Sequence, residues 1–284
     1  MMRGRRLVGV VAVTMAVLLI GAACNKKEGG GGSSGTPTSP SPTKAALTTL
    51  KSGVLTVGSC LDYKPFEYTE GGQLTGFDVD VIDAIAQKLG LTVEWKKANF
   101  DTIFTALAAG QFDAVAAAST ITDERKQVVD FSDPYYNARQ ALTVNTDKTP
   151  DVTSTDDLKS GDVVGVQKGT TGKSWAEDNL ASKGIQIKTY TNAPDAFTDL
   201  EAGNITGVIN DEPSSQSEVE GRQGLAVVEG IDTGEHYGFA VAKDHPDITA
   251  AMNQALKDII ADGTYKTIFA KYFPGVQVPP EYGG

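Results

Sequence analysis

The chain is poor in the residues that build metal and disulfide sites, with two cysteines and two histidines among 284 residues. His236 and His245 lie far in sequence from Cys24 and Cys60, so no metal site is expected. Positive charge is also scarce: 25 Lys and Arg stand against 36 Asp and Glu, a formal net charge of −11. Setting aside Arg3, Arg5 and Arg6 of the leader leaves 22 basic residues against 36, or −14. That balance disfavours nucleic acid and anionic lipid headgroups as partners. No Walker-type phosphate loop occurs, and no exact internal repeat is visible. The longest uncharged, mostly apolar run, Leu7 to Ile20, falls short of the roughly 20 residues that a comfortable membrane span needs.

That short run is informative in its place. A basic start, the apolar run and the small residues Gly21-Ala22-Ala23 make residues 1–23 an export signal. Cys24 follows directly and resembles the lipid-modified cysteine of bacterial lipoproteins, although Gly21 stands where Leu or Val is usual. If Cys24 carries lipid, Cys60 has no partner and no disulfide forms in the mature chain. Residues 24–49 are rich in Gly, Ser, Thr and Pro and read as a flexible tether. The expected location is therefore the outer face of the cytoplasmic membrane, with the chain held by lipid at Cys24.

The remaining stretch, about 240 residues, is long enough for a sizeable core. Strand and helix signals alternate. Val54–Gly58, Leu91–Trp95 and Ala114–Ser119 read as strands, and Phe77–Leu89 and Phe100–Ala109 as helices. After a break at residues 130–136 and an extended run at 141–144, the alternation restarts. Asp156–Lys159 reads as a short helix, Val163–Gln167 as a strand, Trp175–Ser182 as a helix and Ile185–Tyr190 as a strand. Pro194–Leu200 reads as a helix, Ile205–Asn210 as a strand, and two helices close the chain at 246–261 and 265–272. Two α/β units follow one another, and extended segments near 137–145 and 233–242 can join them. Open α/β sheets bind ligands beyond the carboxyl ends of their strands, which places a site in the gap between the units.

Several polar segments fall at those strand ends. Ala117 to Arg125 passes from small residues into a helix start capped by Thr122, leaving Arg125 in the first turn. Its fork of donors matches a carboxylate, although a lone arginine is more often a solvated surface charge. Gly169-Thr170-Thr171-Gly172 opens a helix and can grip anionic oxygens, or serve as a plain cap. Asp211, at a strand end, can bind an ammonium group or simply shape a turn before Pro213. Tyr63 and Phe100 can cover an aliphatic stem or pack in the core. An arginine and an aspartate on opposite units suit a zwitterion, and such a ligand would favour a closed form.

Taken together, Pro65-Phe66-Glu67, Gly76-Phe77-Asp78-Val79-Asp80, Thr120 to Arg125, Val129 to Tyr136, Gly169 to Gly172 and Asp262 to Tyr265 resemble the bacterial family 3 solute-binding proteins of amino-acid ABC uptake systems. The resemblance runs from Leu50 to Phe273. It implies a type II periplasmic-binding-protein-like fold: two lobes, each a central, mostly parallel sheet flanked by helices, joined by two hinge strands. Lobe one would take residues 50–140 and 237–284, and lobe two residues 141–236. The implied function is capture of an extracellular L-amino acid and its delivery to an ABC-type permease, by a monomer that needs no cofactor and is not an enzyme. The implied carboxylate ligand is Arg125, with Ala117, Ala118, Thr120, Gly169, Thr170 and Thr171 around it. Asp211 matches the ammonium-binding aspartate, Tyr63 and Phe100 the aromatic walls, and Asn210 a variable side-chain contact. Cys60 stands where many relatives for basic amino acids or glutamine have aspartate, and Gln167 where some have lysine. Both departures favour a neutral polar ligand. The rival expectation is a cyclohexadienyl or arogenate dehydratase on the same scaffold, with Glu67 or Asp62 as its acid. A sensor domain is disfavoured because no second membrane span or cytoplasmic module is recognised.

Overall fold

A computed structural model describes residues 47–284. The expected export signal, the expected lipid site at Cys24 and nearly all of the expected tether lie outside the described residues. The chain enters its first sheet through β1 (Val54–Ser59), a hairpin of β2 (Tyr68–Glu70) and β3 (Gln73–Thr75), and α1 (Phe77–Leu89). Next come β4 (Thr92–Lys97), α2 (Phe100–Ala108), β5 (Ala114–Val115), α3 (Asp123–Val128) and β6 (Val129–Phe131). A long strand, β7 (Tyr136–Asn145), leads to β8 (Val163–Gln167), α4 (Thr171–Asn179), β9 (Gln186–Tyr190), α5 (Ala193–Ala202), β10 (Gly207–Asp211) and α6 (Glu212–Val219). A second long strand, β11 (Leu225–Tyr237), returns to β12 (Ala240–Ala242), α7 (Pro246–Ala261) and α8 (Thr264–Tyr272).

Two five-stranded sheets result, in the orders β4-β1-β5-β12-β6 and β11-β7-β10-β8-β9. Pairing is parallel within β4-β1-β5 and β10-β8-β9, where each strand is reached through a crossover helix. The strands that return from the other lobe, β7, β11 and β12, add antiparallel pairs. β7 and β11 pair with each other from Leu225↔Asn145 to Tyr237↔Tyr136, and so form the two-stranded hinge. Each sheet is packed on both faces. In lobe one, Phe77, Val81, Ile82 and Ile85 of α1 lie with Ile248, Met252 and Ile259 of α7, while Ile103 and Leu107 of α2 belong to a separate cluster. In lobe two, Ala176 and Leu180 lie in one cluster and Phe197 and Leu200 of α5 in another. Rings clamp the lobe-one end of the hinge: Phe66 sits 5.2 Å from Tyr136 and 5.3 Å from Tyr237, both edge-on.

Local chemistry explains where the elements depart from sequence expectation. The strand expected through Ser119 stops at Val115. Ala118 takes a positive φ of 44°, and its N–H donates to the buried Asp78 carboxylate at 2.9 Å. No helix forms at Asp156–Lys159, because Asp157 Oδ2 accepts from the backbone and hydroxyls of Thr153 and Ser154 and closes a polar turn instead. The helix expected from Trp175 begins four residues earlier, since the Thr170 hydroxyl caps it by accepting from Lys173 N–H. β6, α6 and most of β11 carry little periodic signal and are set by their tertiary partners.

Candidate functional site

The site lies where the strand ends of both sheets meet. From lobe one, the turn after β1 brings Tyr63 into the gap. Tyr63 N–H donates to Glu67 O and Glu67 N–H to Tyr63 O, a closed bridge that includes a cis Lys64–Pro65 peptide. Gly76 lets this turn lie against α1, because a Cβ there would sit 2.0 Å from Phe66 O. α2 opens with Phe100, and α3 opens behind Thr122, whose hydroxyl accepts from Arg125 N–H at 3.1 Å. Arg125 stacks over Phe100 and Phe104, 5.2 and 4.9 Å from their centroids. Its Nη1 donates to Thr120 O at 2.7 Å and its Nη2 to Gly169 O at 3.1 Å, the second bond crossing to the other lobe.

From lobe two, β8 ends at Gln167 and the turn at Gly169 leads into α4. Gly169 has φ 79°, and a Cβ on it would come within 2.9 Å of Asp101 Cα. Beside it, Lys168 pairs with Asp101 at 2.8 Å. β10 delivers Asn210 and Asp211. Tyr63 OH donates to Asp211 Oδ2 at 2.6 Å and lies 3.0 Å from Asn210 Oδ1, a second link between the lobes. The cleft is thus drawn shut by contacts among its own lining residues.

All but one of the site residues expected from sequence line this cavity: Cys60, Tyr63, Phe100, Ala117, Ala118, Thr120 and Arg125 from lobe one, and Gln167, Thr170, Thr171, Asn210 and Asp211 from lobe two. Gly169 lies at the exposed rim and contributes its carbonyl to Arg125 instead. Two further residues line the cavity that sequence reasoning did not place in the site. Gln140, on β7, is 1% exposed and donates from Nε2 to Asp211 Oδ1. The signal available was slight: Gln140 precedes the apolar run at Ala141-Leu142, but polar Asn137 and Arg139 stand on the same strand. Glu67, read from sequence as a carboxylate near the pocket and as the acid of the rival enzyme, is fully buried and neither carboxyl oxygen has a hydrogen-bond partner.

Burial governs the charges here. The Asp211 carboxyl is pushed up to about 6 by desolvation, against the hydrogen bond from Tyr63. Glu67 is pushed well above the usual carboxylate range by burial, then by the negative charge of Asp78, Asp62 and Asp211. Burial, reinforced by Glu67 and Asp62, also raises the Cys60 thiol, so it faces the cleft uncharged. Desolvation lowers Arg125, while Asp211, Glu235 and Glu124 oppose that fall, and a guanidinium keeps its charge in any case. Among the described residues, no group of three or more His, Cys, Asp or Glu side chains is placed to hold a metal.

A two-lobed α/β chain, hinged by two strands and closing on a polar cavity, defines a class of proteins that enclose a small solute. The sequence agrees: residues 55–275 match the family of bacterial extracellular solute-binding proteins, family 3, and the chain belongs to it. It is 37% identical over 224 residues to a probable histidine-binding protein of Neisseria gonorrhoeae, covering 78% of this chain and 83% of that one. A solved ancestral arginine-binding protein bound to arginine superposes with a TM-score of 0.74 at 39% identity, over 78% of this chain and 98% of that one. A solved ancestral amino acid-binding protein, described as a precursor of cyclohexadienyl dehydratase, matches with a TM-score of 0.73 at 38% identity, over 78% and 96% of the two chains. By its family this chain is a solute-binding protein and not an enzyme.

Proposed function

We propose that the protein captures an L-amino acid with a polar, hydrogen-bond-donating side chain between its lobes and hands it to an ABC-type permease. The observation that carries this reading is the meeting of Arg125 and Asp211, from opposite lobes, in one cavity with Tyr63 and Phe100 as walls. Arg125 has five N–H donors, and the two carbonyls it meets use two of them, leaving donors for a ligand carboxylate. Asp211 accepts from Tyr63 and Gln140 and keeps lone pairs for a ligand ammonium. Each such charge-assisted bond contributes about 1.5–3 kcal/mol. The unpartnered Glu67 and the uncharged Cys60 also line the cavity, where a donating side chain gives Glu67 the partner it lacks. The names of the relatives, arginine- and histidine-binding among them, support a nitrogen-bearing side chain. Export, lipid attachment at Cys24 and action as a monomer complete the proposal, with the membrane reached only through the anchor.

Calorimetry of the mature chain against the common amino acids tests it. One or a few should bind, and at a hundredfold excess over Kd the ligand should stabilise the fold by about 2.7 kcal/mol. Arg125→Ala and Asp211→Ala should each lose most of that affinity while the fold persists. Neither heat nor thermal shift with any amino acid would sink the reading.

A further inference from the structure

Glu235 stands behind the cleft, outside its lining, and touches both lobes. It follows a bulge in β11: the register jumps from Ile231↔Gln140 to Glu235↔Ala138, so three residues of β11 face Arg139 alone. The bulge contains Gly234 at φ 65° and re-aims the strand, placing Glu235 on the inner side between exposed Gly234 and exposed His236. From there Glu235 Oε2 accepts from Thr120 Oγ1 of lobe one at 2.7 Å and from Thr171 Oγ1 of lobe two at 2.8 Å. Thr120 is itself bridged to Tyr237 on the same strand.

An ionised carboxylate only accepts, and a hydroxyl has one hydrogen. Both threonines therefore spend their hydrogen on Glu235, and what their hydroxyls present to the cavity is a lone pair. Gln140 Nε2, 3.5 Å from Thr171 Oγ1, points a donor at that same oxygen. These hydroxyls were expected from sequence to grip anionic oxygens. The geometry gives them the opposite polarity.

We propose that Glu235 is a positioning residue: by bridging Thr120 and Thr171 it makes both hydroxyls acceptors toward the cleft, so that they select a ligand's ammonium group, and it ties the two lobes together when they close. This rests on the amino-acid reading above for its ligand. The rear carboxylate never touches the ligand in this scheme; it acts through the two threonines, while its charge also bears on Arg125 and Asp211.

The test compares wild type, Glu235→Gln and Glu235→Ala. The probes are whichever of L-arginine, L-histidine, L-lysine and L-glutamine binds most tightly, together with its 2-hydroxy acid analogue, which has hydroxyl in place of ammonium. Wild type should prefer the amino acid by a hundredfold or more. In Glu235→Ala that preference should shrink about tenfold, because the freed hydroxyls no longer face the ammonium only as acceptors and can then donate to the analogue. Glu235→Gln keeps the shape, guards against a folding failure and should lie between. Spin labels on the two lobes, read without ligand, should show a smaller closed fraction in both variants. An unchanged preference, or equal weakening of amino acid and analogue, would overturn the polarity assignment. If wild type binds none of these four nor any other common amino acid, it is the amino-acid reading that fails. The lobe distances still judge Glu235, and an unchanged closed fraction overturns its bridging role.

Discussion

Replacing Asp78 with asparagine should flatten part of the protein's pH dependence. Asp78 lies in the first turn of α1, fully buried, where it accepts from Ala118 N–H at 2.9 Å and from Tyr135 OH at 2.7 Å. Desolvation lifts its carboxyl from an ordinary 3.8 to about 6, even though both hydrogen bonds favour the anion. The folded form therefore holds the proton more tightly than the unfolded chain. The group's contribution is greatest at low pH and is lost as pH rises through the interval from about 4 to about 6. A rise of roughly two units at 1.36 kcal/mol each is about 3 kcal/mol over the full titration, of which about 2 kcal/mol falls between pH 4 and pH 7. Asparagine keeps the shape and an acceptor for Ala118 but carries no proton to lose. Urea unfolding of both proteins from pH 4 to pH 7 should show Asp78→Asn gaining about 2 kcal/mol on wild type across that interval. Asp211 titrates in both proteins and cancels in the difference, and making both measurements in a Glu67→Gln background removes the coupling of Glu67 to the Asp78 charge. Parallel stability curves would refute the claim that burial outweighs the hydrogen bonds at Asp78.

Gly169→Ala should hinder closure: its Cβ would meet Asp101 Cα at 2.9 Å and φ is 79°, so ligand affinity should fall about tenfold or more while urea stability changes by roughly 1 kcal/mol, compared by calorimetry and unfolding. Glu67 should release a proton when a cationic side chain binds, because its carboxyl is raised and a cation draws it down. Calorimetry in buffers of different ionisation enthalpy should detect that release in wild type and not in Glu67→Gln, and its absence with a cationic ligand would put Glu67 away from the side chain. Cys24→Ser should move the chain from the membrane fraction of its host to the soluble fraction, and continued sedimentation with membranes would exclude lipid at Cys24 as the anchor.

The periodic elements were legible because burial writes itself into residue order. Phe77, Val81, Ile82 and Ile85 repeat at helical spacing, and α1 forms there and ends at Gly90 in the left-handed conformation, as a glycine after the last apolar position suggests. The short β6 and the helix after Asp211 were not legible, since Val129–Phe131 is too short for a period and Glu212–Val219 lacks an apolar face. In the cleft, Arg125 and Asp211 could be picked out as a pair, because opposite charges at the strand ends of two units suit a zwitterion and the family resemblance marks both positions. Gln140 and Glu235 could not, because each sits on a hinge strand whose bulge and pairing decide which side chains turn inward.

Residue order alone determined that two α/β units follow one another and which charged groups stand at the strand ends, because each is a matter of local spacing and composition. The tertiary structure alone decided that Glu67 is sealed in without a partner, that the Thr120 and Thr171 hydroxyls point their hydrogens backward, and that Tyr63 reaches Asp211 across 148 positions of chain. Burial and hydrogen-bond direction are properties of surroundings assembled from distant segments, and no window of sequence contains them.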